Sequence, residues 1–84
     1  MNKWFVYIVE CADGTLYTGI TTDLDRRLLE HNYGSRSAKY TRSRRPVKMV
    51  WNIEVENRSQ AGKKEARIKK MTRAKKLDMI KKLG

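Results

Sequence analysis

Trp4-Phe5-Val6-Tyr7-Ile8-Val9, Ala12-Asp13-Gly14-Thr15 and Leu16-Tyr17-Thr18-Gly19-Ile20 stand in close succession near the start of the chain, and their reading decides the fold. The first run is β-branched and aromatic, the composition of a strand. The second is a turn signal, and the third reads as the strand that returns. Thr22 is placed to cap a helix opened by Asp23-Leu24-Asp25-Arg26-Arg27, with Asp25 at the reciprocal capping position. That helix sets Leu24 and Leu28 on one stripe and carries Arg27 and His31 four residues apart on a neighbouring line. Two tyrosines, an arginine and a histidine are thereby gathered where a hairpin meets a helix.

Loop length decides whether Tyr7 and Tyr17 can meet, because side chains alternate along a strand and opposed residues share a face. A two-residue turn at Asp13-Gly14 opposes Tyr7 to Ile20 and sends the two tyrosines to opposite faces. A three-residue loop, Ala12-Asp13-Gly14, opposes Tyr7 to Gly19 and Val9 to Tyr17, and both rings then face one way. The third residue of such a loop takes the left-handed conformation that glycine tolerates, and Gly14 supplies it. The three-residue register is expected, with Gly19 leaving room beside Tyr7.

Both faces of the first strand are apolar, so it belongs inside a sheet covered twice. From Asn32 to Arg45 the chain turns polar, and Arg36, Lys39 and Arg42 recur every third residue, as on one face of a short helix. Tyr40 among them either closes the core or stacks a nucleobase in a basic groove. After Pro46, Val47 to Val55 alternates with its odd positions apolar, predicting a strand with one buried face and Trp51 at its centre. Ser59 is a plausible cap for a helix with Ala61, Glu65, Ile68 and Met71 near one line. Thr72 starts a last helix through Ala74, Leu77, Ile80 and Leu83. The expected architecture is α/β: a small three-stranded antiparallel sheet, strand 1 central, flanked by about three helices.

The 84 residues, 39% hydrophobic and 35% charged, suit one small domain over residues 1–84. A lone cysteine, Cys11, permits no internal disulfide; it reads as a small packing residue, and the chain as cytoplasmic. The six apolar residues from Trp4 to Val9 are too few to cross a membrane. The net charge of +11 is lopsided. Residues 1–33 hold three bases against five acids, and residues 34–84 seventeen bases against four. A one-sided basic surface is the footprint of a polyanion binder, most often nucleic acid, DNA or RNA; a solvated lysine-rich surface is the plainer alternative. One histidine and one cysteine cannot close a zinc site, and no glycine-rich nucleotide loop is present, so no small-molecule cofactor is expected.

The ordered set Tyr7, Tyr17-Thr18-Gly19, Arg27, His31 and Glu65 resembles the GIY-YIG nuclease domain, and most closely its small, stand-alone bacterial branch. Phe5-Val6-Tyr7 stands for the first triad and Tyr17-Thr18-Gly19 for the second. Ile20 follows, where several active members have lysine or another polar residue. The resemblance implies a metal-dependent DNA endonuclease, with branched or damaged DNA as substrate. It makes Tyr7, Tyr17, Arg27 and His31 catalytic, Glu65 the ligand of a divalent metal (Mg²⁺ or Mn²⁺) and Gly19 structural. Tyr17 would take the proton of the attacking water, Tyr7 would position or assist, and His31 would relay or accept that proton.

These residue types fit the chemistry. Arginine's planar fork binds the non-bridging oxygens of a phosphate and stays charged. One carboxylate plus waters is a usual Mg²⁺ setting at a phosphate. A tyrosine, with an ordinary pKa of about 10, acts as a base only where positive charge favours its phenolate. Nucleic-acid contacts are expected from Arg36, Lys39, Tyr40, Arg42, Arg44, Arg45, Lys63, Lys64 and Arg67. On helical spacing alone, Glu65 reads instead as an ion-pair partner of Lys69, and His31 as a structural hydrogen-bonder. A binding module of the same fold without turnover is the alternative function, and a purely protein-binding adaptor fits the charge poorly.

Overall fold

The computed structural model describes residues 3–34 and 39–83. Strand β1 (Trp4–Glu10) runs between β2 (Leu16–Thr21) and β3 (Lys48–Val55), antiparallel to both, giving the order β2-β1-β3. Four helices are described: α1 (Leu24–Tyr33), the single turn α2 (Lys39–Arg42), α3 (Arg58–Lys69) and α4 (Arg73–Leu83). The expected sheet and its central strand are found.

The hairpin takes the three-residue register. Tyr7 opposes Gly19 and Val9 opposes Tyr17. The loop closes through Cys11 N–H to the Thr15 carbonyl at 2.8 Å and Gly14 N–H to the Cys11 carbonyl at 2.9 Å. Gly14 sits at φ 83°, the left-handed conformation that costs a side-chain-bearing residue strain.

Both faces of β1 are buried, as its two apolar faces require. Val6 and Ile8 join Trp51, Ala61 and Ile68 in a core under α3 and α4. Tyr7 and Val9 join Cys11 and Val47 on the other face, where Leu24 and Leu28 bring in α1. Cys11 is a free, buried packing residue whose thiol burial pushes up from its ordinary pKa.

Four local readings are corrected. Helix α1 is capped by Asp23, not Thr22: the Asp23 carboxylate accepts from Arg26 N–H at 3.0 Å. Helix α3 is capped by Asn57, not Ser59, through Gln60 N–H at 2.9 Å. The shifts move the caps by one and two residues, in each case to another residue with an equally competent oxygen. Thr72 does cap α4, accepting from Lys75 N–H at 3.2 Å.

The third correction concerns β3. Ile8 pairs with Trp51 but Val9 pairs with Met49, so Val50 is an extra residue that β1 does not match. This bulge reverses the alternation. Val47 and Met49 pack on the α1 face, whereas Val50, Trp51 and Val55 pack on the α3/α4 face. The odd positions of 47–55 thus serve two cores, and Val50 is the even-numbered apolar residue that broke the pattern. In α4 the packing line also differs from the expected one. Met79 and Ile80 face the core while Leu77 stays 41% exposed.

Candidate active site

The hairpin register and α1 build the site. Tyr7 and Tyr17 project from the same face of the sheet, and α1 crosses that face with Arg27 and His31 pointing at it. The Tyr7 hydroxyl lies 2.8 Å from His31 Nε2 and accepts a long hydrogen bond from Arg27 Nε at 3.4 Å. His31 Nδ1 lies 2.8 Å from Thr41 Oγ1, and Arg27 Nη1 donates to Glu30 Oε1 at 3.0 Å. Tyr7, His31 and Thr41 are all sealed from solvent. His31 therefore does not face an incoming water; it bonds to side chains on both sides.

Burial sets the electrostatics. Removing Tyr7 from water pushes its pKa up to about 12, although Arg27 pulls it the other way. Burial, together with the Arg27 charge, pushes His31 down to about 4, so its ring is neutral at pH 7.

Tyr17 stands on edge strand β2 and is only half-buried. Its ring meets His31 edge-on at 5.5 Å and stacks with Tyr40 at 5.9 Å. Arg44 lies 4.0 Å over the Tyr40 ring and holds Asp13 of the hairpin loop at 3.1 Å. Asp13 stays below the usual carboxylate range, through the Thr15 hydroxyl first. Lys39, Tyr40, Arg42, Ser43 and Arg44 line an open hollow beside this stack, with Tyr40 39% exposed.

Gly19 has a specific reason to lack a side chain. A Cβ there would lie 2.5 Å from the Tyr7 hydroxyl oxygen and 2.7 Å from Cζ. Alanine in place of a strand glycine ordinarily gains stability. Here Gly19→Ala should instead cost about 1–3 kcal/mol, the usual penalty for overpacking, because the Tyr7 ring is pinned by His31 and has nowhere to go. Urea unfolding of the variant checks it, and a gain in midpoint would refute the close approach.

Glu65 lies on α3, which packs against β2 from the opposite side of the sheet. Its carboxylate is close enough to oppose ionisation of Tyr7, and it pairs with Lys69 at 3.3 Å. Its side chain is 23% exposed and opens on a hollow shared with Ile20, Arg58 and Lys63. A hard oxygen donor open to water is the donor set that a mostly hydrated Mg²⁺ takes. Among the described residues no three acidic, histidine or cysteine side chains cluster to form a metal cage.

The residues expected to contact nucleic acid divide into groups. Lys39, Tyr40, Arg42 and Arg44 sit beside Tyr17, and Lys63 beside Glu65. Lys64 is half-buried on α3 and Arg67 exposed. Arg45 is spent on structure: its guanidinium donates to the carbonyls of His31 at 2.6 Å and Gly34 at 2.5 Å, fastening the C-terminus of α1. Arg36 lies outside the described residues. Sequence reasoning passed over Thr41, Glu30 and Asn32, the last of which clamps Val47 through both its amide atoms at 2.7 and 3.0 Å.

The chain belongs to the GIY-YIG family of nucleases, since residues 3–78 match the GIY-YIG catalytic domain. It is 57% identical over 81 residues to a UPF0213 protein of Syntrophus aciditrophicus, covering 96% of this chain and 93% of that one. It is 54% identical over 78 residues to the UPF0213 protein DP2720 of Desulfotalea psychrophila, covering 93% of this chain and 71% of that one. The solution NMR structure of the protein EF2693 from E. faecalis shares the fold with a TM-score of 0.66 at 40% identity, covering 99% of this chain and 88% of that one. That of the UPF0213 protein BH0048 from Bacillus halodurans gives 0.60 at 39% identity, covering 94% and 83%.

Proposed function

We propose that this protein is a metal-dependent DNA endonuclease that hydrolyses phosphodiester bonds, with branched or damaged DNA as its substrate. The observation that supports this reading is the common face of Tyr7, Tyr17, Arg27 and His31, which depends on one hairpin register. Tyr17, half-exposed on the edge strand, gives its hydroxyl proton to solvent and, as the phenolate, accepts the proton of the attacking water. Arg27 holds the non-bridging oxygens of the scissile phosphate and steadies Tyr7. Glu65 would hold the Mg²⁺ or Mn²⁺ ion, which when bound supplies Lewis-acid stabilisation to the departing 3′ oxygen. Lys39, Arg42 and Lys63 bring the DNA backbone to these groups, and exposed Tyr40 offers an aromatic edge to a base nearby.

The direct test is cleavage of nicked, flapped, branched and linear DNAs with Mg²⁺, Mn²⁺ or chelator. Cutting of at least one substrate only in the presence of metal is expected, and cutting of none would overturn the reading. Binding to the same DNAs should weaken steeply with salt, by a slope of about 0.9 in log K per phosphate neutralised. A flat response between 50 and 200 mM, the span over which such contacts are normally read, would remove the polyanion partner altogether.

Two observations favour a second reading, a DNA- or RNA-binding module without turnover. The Glu65 carboxylate is already paired with Lys69, and apolar Ile20 borders the same hollow. Salt-dependent binding without cutting on every substrate is the result that would select it.

A further inference from the structure

Proton directions can be read along the buried line Arg27–Tyr7–His31–Thr41. Arginine only donates, so at 3.4 Å the Tyr7 oxygen accepts from Arg27 Nε. Tyr7 then has its own hydrogen to place, and His31 Nε2 stands 2.8 Å away. A neutral imidazole carries one donor and one acceptor nitrogen. With Nε2 accepting, the ring hydrogen is on Nδ1, 2.8 Å from Thr41 Oγ1. In the other tautomer Tyr7 would accept from two sides at once, and its own hydrogen would be aimed at neither Arg27 nor His31. Exposure is 1% at Tyr7 and 0% at both His31 and Thr41, so bulk solvent does not reach these groups.

We propose that Thr41 is a positioning residue: it accepts the Nδ1 hydrogen of His31, fixes that tautomer, and so directs the Tyr7 hydroxyl hydrogen inward to Nε2. The two tyrosines then have different jobs. Tyr7 keeps its hydrogen on the buried side and is withheld from proton abstraction, and Tyr17 is the hydroxyl that meets water. Thr41 acts at two removes, through His31 and Tyr7. The effect on rate rests on the nuclease reading above, whereas the tautomer does not.

The chain has one histidine, so a long-range ¹⁵N–¹H spectrum reports His31 alone. The wild-type protein at pH 7 should show its ring hydrogen on Nδ1. Thr41→Val keeps the volume but removes the acceptor, and should move the hydrogen to Nε2. It should also lower kcat by about ten- to a hundredfold with KM little changed, the scale seen when the group orienting a functional imidazole is removed. Thr41→Ser should restore both tautomer and rate. A wild-type spectrum with the hydrogen on Nε2, which needs no variant to fold, overturns the proposal. So does Thr41→Val with an unchanged tautomer, or with a changed tautomer and an undiminished rate. If the wild type cuts no DNA yet shows Nδ1–H that Thr41→Val displaces, the nuclease reading falls and the Thr41 assignment stands.

Discussion

Arg27→Ala and Glu65→Gln are each expected to abolish metal-dependent cutting in a domain that still folds and still binds DNA. Arg27 is the cation next to the tyrosine pair, with Tyr7 at 3.4 Å and Glu30 at 3.0 Å holding its fork in place. A positioned arginine on a reacting phosphate contributes roughly a thousandfold or more. Arg27→Lys should recover only part of that, because an ammonium keeps the charge and loses the planar fork. Glu65→Gln removes the anionic oxygen that would hold the metal, and several kcal/mol of Lewis-acid stabilisation corresponds to roughly a hundredfold or more in rate. The same change frees Lys69 from its 3.3 Å ion pair, so DNA binding should hold or strengthen. Single-turnover cutting and binding on one DNA, with circular dichroism as the fold control, separate these effects. Unchanged cutting in both variants would end the nuclease assignment.

The features legible in the sequence were those set by short-range geometry. Alternation along a strand and the length of one loop are enough to bring Tyr7 and Tyr17 to one face, and Gly14 at φ 83° closes that loop. Leu24 and Leu28 could be placed because helical spacing and a core-facing stripe coincide. The bulge at Val50 was not legible, since what selects it is the fit of β3 to β1 across the sheet. The cap shifts to Asp23 and Asn57 reflect two capable oxygens lying close together in sequence, between which the local pattern does not choose.

The site was legible only in part, for a related reason. Arg45 looked like one base among many in a basic segment, but the open carbonyls at the end of α1 lie within its reach. Thr41 gave no signal, being a small polar residue between Tyr40 and Arg42. Its significance comes from a contact with His31 ten positions away. Helical spacing alone reads Glu65 as the ion-pair partner of Lys69, and that pair is present at 3.3 Å. The resemblance to the GIY-YIG domain implies the other reading, a metal ligand, and the two are compatible if the carboxylate exchanges Lys69 for a cation on loading.

Acid should unfold this protein through His31 before it does so through its carboxylates. The folded pKa is about 4, against an ordinary value of 6.5, because burial penalises the charged ring. The unfolded chain therefore binds a proton between those values that the folded chain does not, and stability must rise with pH across that window. The contribution is fully present above pH 6.5 and is lost as pH falls through 4. The slope approaches about 1.4 kcal/mol per pH unit, for a total of roughly 3 kcal/mol. In a domain of this size that is a fall in Tm of roughly 12–24 °C. Asp13, also held below its ordinary range, contributes with the same sign but only nearer pH 4 and below, where unfolded aspartate titrates. Urea unfolding at pH 7, 6, 5 and 4, beside an NMR titration of the single imidazole, measures both halves of the claim. The His31 ring should stay neutral through pH 6.5 while the folded baseline persists, and the unfolding midpoint should drop with each step. A ring that titrates near its ordinary value, with stability flat from pH 7 to 5, would mean that the Tyr7–His31–Thr41 line admits a charge, and the neutral imidazole on which it is built would have to be abandoned.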